Sequence, residues 1–328
     1  MTRRRQFLAQ LGTWTLTAAA WRDGFAAAAS PSQSPSPSPD TPPPAFDFSP
    51  AQRGRIRAPA DPAARAALAA SGYRLVTPGA LTVAVSPFAP PIATYASDAR
   101  TLVGSDPDHA HLLADALGLT LAPVVVAWPD WPLGLASGKF DAVISNVGVT
   151  EQRKRKFDFS TYRLGLHAFY VPSASPITAI RGPRDIAGLR IITSSGTIQE
   201  RILLAWSGEN EAHGLKPATL LVFDDAASAL LALGSGRADA VLNPHAPLAY
   251  EAATQHTIRL VGTVNAGWPE RADVAIATRK GGGLASVLTA ATNRLIAGGQ
   301  YRAALARWGL ADEALPRSET NPPGYRDA

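Results

Sequence analysis

Cysteine is absent from all 328 residues. That excludes disulfides, a lipid-anchored cysteine, a thiolate zinc site and a cysteine nucleophile together. Long apolar runs are lacking as well. The apolar run from Leu8 to Ala20 falls short of the roughly 20 residues that span a membrane, and no later stretch is long and apolar enough to do so. A phosphate loop is missing: Gly281-Gly282-Gly283 has no Lys-Ser/Thr after it and reads as a turn before a helix at 284–296. Histidines number six, and His109 and His111 stand two apart on a helix, facing different sides where they cannot share one ion. No metal site and no cofactor is expected. The net charge of +5 falls to +2 once the four arginines and one aspartate of the first 29 residues are set aside, a balance too small to indicate a nucleic-acid partner.

What is present begins with a basic region, Arg3-Arg4-Arg5, then Gln6-Phe7-Leu8, the apolar run, and small residues at Ala26–Ser30. Residues 1–29 therefore read as an export signal. An arginine pair, one residue and then Phe-Leu resembles a twin-arginine signal; an ordinary secretory signal is the alternative. Either places the mature protein in the periplasm, soluble after signal removal. Residues 30–46 are dominated by a Pro/Ser tract and form a spacer that cannot bury a core. Residues 47–74 form an extension, with a short helix at Pro62–Ala70, laid on the first lobe. A hydrophobic fraction of 46% supplies a core without disulfides.

The main body is written twice. Leu135–Asn146 recurs in altered form at Leu233–Pro244. In each copy a helix ends at a glycine, a basic residue and an aspartate make a turn, and an apolar run forms a buried strand ending in polar residues. Leu81–Ser86 and Leu189–Ser194 form a second matching pair. Helical patterns lie between: Asp106 to Gly118, Thr197 to Trp206 and Ala226 to Leu233, the last capped by Asp224-Asp225. Alternating strands and helices predict parallel α/β sheets in two similar lobes. Ligands bind beyond the carboxyl ends of such strands, which directs attention to Ser145-Asn146, Ser194–Thr197 and Asn243.

In their order, these segments resemble the amino-acid type of bacterial periplasmic solute-binding proteins, the binding subunits of ABC importers, over about 80–315. Further carriers of the likeness are Val103–Asp106, Trp128, Phe157-Asp158-Phe159-Ser160, Gly236–Ala240 and Arg307-Trp308-Gly309. The resemblance implies a type II periplasmic-binding fold, α/β, each lobe a mostly parallel sheet flanked by helices, with two hinge strands. Lobe 1 would be 75–171 plus 277–315, lobe 2 would be 172–276, and 316–328 a C-terminal tail. The resemblance also implies site roles. Trp128 would stack on the ligand, Ser145 and Asn146 would offer loop groups, and Arg153 would grip a carboxylate fork-to-fork. Ser195, Gly196 and Thr197 would close over the same end. Asn243 and His245, ending a lobe-2 strand, are further candidate contacts. Lys154–Lys156 read as a solvated basic face, and Trp131 as a rim or core residue.

Three positions depart from the family pattern. Ala89 stands where an aromatic is common, Gly148 where a hydroxyl is usual, and Pro244 where an acid binds the ligand's ammonium. The expected ligand is therefore a small carboxylate, an amino-acid derivative or an organic acid, rather than an ordinary amino acid. The expected partners are this solute and a cognate ABC permease, with the protein a monomer. No catalytic residue is assigned; the alternative is an enzyme on the same fold resembling a prephenate-type dehydratase, for which Glu151 and Glu200, at helix starts, are poorly placed.

Overall fold

The computed structural model describes residues 45–223 and 225–326. The expected export signal, the spacer apart from Ala45 and Phe46, and the cap position Asp224 lie outside the described residues. Among the described residues no helix is long and apolar enough to cross a membrane.

In chain order the regular elements are α1 (Pro62–Ala70), β1 (Ala80–Val85), β2 (Thr94–Tyr95), β3 (Leu102–Val103), α2 (Ser105–Leu117), β4 (Thr120–Val125), α3 (Trp131–Ala136), β5 (Ala142–Gly148), α4 (Glu151–Lys154) and β6 (Phe157–Arg163). After these come β7 (Leu166–Pro172), β8 (Arg190–Thr193), α5 (Ile198–Ala212), β9 (Thr219–Val222), α6 (Ala226–Gly234), β10 (Ala240–Pro244), α7 (His245–Gln255), β11 (Ile258–Asn265), β12 (Val274–Arg279), α8 (Leu284–Ala297) and α9 (Gln300–Arg307).

Two five-stranded sheets result, in the orders β4-β1-β5-β12-β6 and β11-β7-β10-β8-β9. In each, three parallel strands are followed by one antiparallel strand, β12 or β7, and then by an edge strand, β6 or β11, that runs with the first three. The strand β1, buried along its whole length, shows why such segments read as unbroken apolar runs: helices cover both faces of a parallel sheet. The sequence repeat has a physical meaning at its aspartate. Asp141, with no exposed surface, accepts hydrogen bonds from the backbone N–H of Thr82 and Val76 and from the Tyr73 hydroxyl at 2.9–3.0 Å. Asp239 accepts from the N–H of Arg190 at 2.8 Å and pairs with its guanidinium. Each ties the turn before the third parallel strand to the start of the first. The preceding Gly138 and Gly236 have φ of 76° and 72°, the left-handed ending predicted for both helices.

Some boundaries move. The strand before Trp128 runs over Thr120–Val125, and it accommodates Pro123 because β4 is a sheet edge with no ladder on one side. The helix expected at 197–206 continues to Ala212. The chain leaves the first sheet after Arg163 and enters the second at Leu166, so β7 belongs to the second sheet and not to the lobe ending at residue 171. It returns between Asn265 and Val274.

Both ends of the described chain engage both lobes. Residues 46–75 pack on the first core through Phe46, Ile56, Leu68 and neighbours, and Arg55 and Arg307 converge with the Trp308 indole on buried Asp108 at 2.6–2.8 Å. Phe46 also stacks on Tyr250 of α7, in the second lobe, with ring centroids 5.2 Å apart. The residues after 315 form a strap. Glu319 and Asn321 exchange backbone hydrogen bonds with β6 of the first lobe, while the Tyr325 ring, 3% exposed, packs into the core of the second lobe with Phe169, Ile198 and Trp206.

Candidate functional site

A cleft of about 550 Å³ opens between the carboxyl ends of the two sets of parallel strands, where open α/β sheets bind ligands. On the first lobe, Ser145 and Asn146 lie in β5, two to three residues before its end at Gly148. The Ser145 Oγ accepts from the N–H of Ser86 at 2.8 Å. Asn146, with φ of 50°, donates its N–H to Asp106 at 2.8 Å and accepts at its side-chain oxygen from Arg163. Thr150 caps α4 through the N–H of Arg153 at 3.0 Å. From there the Arg153 guanidinium donates to the Gly148 carbonyl at 2.8 Å and, across the cleft, to the Gly196 carbonyl at 3.0 Å. It also lies over the Trp128 ring, 5.6 Å from the centroid, a favourable cation–π arrangement. Trp128 and Arg153 thus form one unit on the cleft wall.

On the second lobe, Thr197 caps α5, accepting from the N–H of Glu200 and donating to the Ser194 carbonyl. The Glu200 carboxylate accepts from the N–H of Gly196 at 2.7 Å. Much of the polar capacity of this loop is therefore spent on the helix start. Ser195 and Gly196 are exposed and do not line the cleft; their neighbours Ser194, Thr197 and Gln199 do. Asn243 lines it, 6% exposed. His245 does not: beginning α7, its ring turns to Tyr170, with Nδ1 3.4 Å from the phenol oxygen. Of the nine predicted residues, Trp128, Ser145, Asn146, Arg153, Thr197 and Asn243 are brought together. Trp131, 2% exposed, packs in the core against Phe157. Glu151 and Glu200 stand outside the lining.

Among the cleft residues that were not anticipated, three bear on its chemistry. Phe88, beside the Ala89 departure, supplies an aromatic surface one residue earlier. Arg163, 2% exposed, pairs with Glu313 and with the Asn146 side chain. Burial opposes its charge, but Glu313, Tyr162 and Asp106 outweigh that and hold it protonated. His167 is 6% exposed, and neither ring nitrogen has a hydrogen-bond partner among the described residues. Burial, with the Arg163 charge adding, pushes its pKa down to about 3, so the imidazole is neutral. The signal for both was legible in retrospect: ionisable residues flanking Leu164-Gly165-Leu166 inside an otherwise apolar stretch. The Gly148 departure has a steric cause. A Cβ there would meet the Ile198 Cδ1 of the other lobe at 2.5 Å.

A family profile for bacterial extracellular solute-binding proteins, family 3, matches residues 81–311. The chain belongs to that family. This family-3 protein is 30% identical over 247 residues, 72% of its length and 78% of the relative's, to the arginine-binding protein ArgT of Corynebacterium glutamicum. It is 26% identical over 172 residues to a cyclohexadienyl dehydratase of Pseudomonas aeruginosa, covering 52% of this chain and 60% of that enzyme. Among solved structures, an ancestral arginine-binding protein bound to arginine superposes with a TM-score of 0.61 at 26% identity, over 70% of this chain and 98% of that one.

Proposed function

We propose that this family-3 protein is the solute-capturing subunit of an ABC importer, working as a soluble periplasmic monomer that closes its lobes on a small carboxylate-bearing solute and presents it to a permease. The observation that carries this reading is the charge of the cleft lining: two guanidiniums, Arg153 and Arg163, and no Asp, Glu or Lys. A charge-assisted hydrogen bond contributes about 1.5–3 kcal/mol, and a micromolar solute needs about 8 kcal/mol. Stacking on Trp128 and Phe88 and the contacts made on lobe closure must supply the remainder.

A dehydratase among the relatives makes an enzyme the second reading. Acid–base chemistry needs a proton-transfer group set against the substrate. The lining offers no carboxylate, lysine or tyrosine, and its one histidine, held down at about 3 by burial and the Arg163 charge, is a weak base far from neutral pH. Binding without turnover is the reading that follows.

A thermal-shift screen across metabolite carboxylates, followed by calorimetry, tests it. Carboxylates should raise the melting temperature and be recovered unchanged, and Arg153→Ala should weaken the best of them at least tenfold. Recovery of a dehydrated product, or an Arg153→Ala protein that binds as tightly as wild type, contradicts the proposal.

A further inference from the structure

The two walls of the cleft differ in charge. The first lobe brings Arg153, held over Trp128, and Arg163 lies at the crossing between lobes. The second lobe brings only uncharged hydrogen-bonding groups: Ser194, Thr197, Gln199, Asn243 and His167. His167 stands out among them. It faces Pro244 as its antiparallel partner on β10, and both residues line the cleft. The ring is more than nine-tenths buried, and no protein atom among the described residues bonds either nitrogen. Buried polar atoms of native proteins are almost always paired. The partner for this one therefore enters with the occupant of the cleft.

The chemistry of that partner follows from the imidazole and its surroundings. A neutral imidazole offers one donor and one acceptor. An ammonium has no acceptor, and in this lining it would find no carboxylate while facing the Arg163 charge, so its desolvation would go uncompensated. A hydroxyl or a secondary amide carries a donor and an acceptor at no charge and so complements whichever ring nitrogen it meets, in either tautomer. The wall also carries apolar surface, with Phe88, Ile92, Trp128, Leu166, Ile198 and Val274 available to an apolar side chain.

The geometry points to a small carboxylic acid with an apolar side chain whose 2-position carries an uncharged donor–acceptor group, a hydroxyl or an N-acyl amide, in place of an ammonium, with His167 reading that group. This rests on the carboxylate reading above and adds the discrimination within it.

Calorimetry on the full chain at neutral pH with two matched series provides the test: L-phenylalanine, L-phenyllactate and N-acetyl-L-phenylalanine, and the isobutyl equivalents L-leucine, L-2-hydroxyisocaproate and N-acetyl-L-leucine. At least one uncharged analogue should bind tenfold or more tightly than the amino acid of its series. A preference for the hydroxy acid assigns the hydroxyl, and a preference for the acetylated acid assigns the amide. An amino acid that binds as well as both analogues overturns this inference and leaves the carboxylate reading standing. No binding in either series overturns this inference, and the carboxylate reading then falls only if the thermal-shift screen across metabolite carboxylates is also blank. His167→Phe, which keeps a planar ring but no polar atom, should reduce the preference below threefold, and His167→Gln, which keeps a donor and an acceptor, should restore it. A His167→Phe protein that retains the full preference removes His167 from the role.

Discussion

Replacing Gly148 by alanine probes the closed cleft with a single methyl group. Gly148 ends β5 in the first lobe, and the added Cβ would stand 2.5 Å from the Cδ1 of Ile198, which opens α5 in the second. Ile198 is 4% exposed and belongs to the core of its lobe, so it yields only by disturbing packed neighbours. Reaching an ordinary carbon–carbon separation requires a retreat of about 1 Å, and overpacking of this kind costs about 1–3 kcal/mol. Because the contact joins the lobes, the cost falls on closure. At 1.4 kcal/mol per decade, affinity should drop roughly 5- to 150-fold. Ile198→Val removes the offending carbon at a cost of its own of about 0.5–1.5 kcal/mol. In a double-mutant cycle read by calorimetry, with the carboxylate that gives the largest thermal shift, Ile198→Val should recover most of the Gly148→Ala loss. The coupling should be about 1–2 kcal/mol. Wild-type affinity in Gly148→Ala, or a loss that Ile198→Val leaves untouched, would refute the contact as a closure contact.

Further predictions concern the framework. Tyr325→Ala empties a core position of the second lobe and should lower unfolding free energy by about 3–5 kcal/mol, measured by urea denaturation; a change under 1 kcal/mol would show the strap to be dispensable. Asp108→Ala leaves Arg55 and Arg307 without their shared buried carboxylate and should cost about 3–5 kcal/mol, again by urea titration. His109 and His167, 3% and 6% exposed, are both held at about 3, chiefly by burial. Their folded pKa lies below the unfolded 6.5, so the unfolded chain takes up the protons first and stability is lost as pH falls below 6.5. Between pH 7.5 and 5.5 each should contribute a loss of about 1.4 kcal/mol. His167→Phe should flatten the measured slope by one proton; an unchanged slope would show that the ring titrates normally.

Much of the fold was legible because its signals are local. The glycine helix ends, the cap at Asp225 and the helix at Pro62–Ala70 all depend on neighbours in sequence. The first-lobe wall was legible for the same reason, since Ser145, Asn146 and Arg153 lie on one strand–turn–helix unit. Arg163 and His167 escaped because their importance comes from the crossing between sheets, which brings β6 and β7 against residues far along the chain. His245 misled because a strand end was read as pointing to the cleft, whereas the helix that starts there turns its ring to Tyr170. The strap escaped entirely: Ser318–Tyr325 is polar in composition, and its bonds to β6 join residues far apart in sequence.

The placement of β12 governs the order in which the molecule can be completed. In the finished first sheet β12 lies between β5 and β6. Yet β5 ends at Gly148 and β12 begins only at Val274, after every strand of the second sheet. A chain emerging from its N-terminus must therefore hold β5 and β6 with open edges, exposing unpaired backbone groups, while the second sheet has all its strands in one unbroken stretch. The lobe encoded first is the one finished last. Its closure is a non-local step of the slow kind, and the strap that bonds the outer side of β6 is encoded later still.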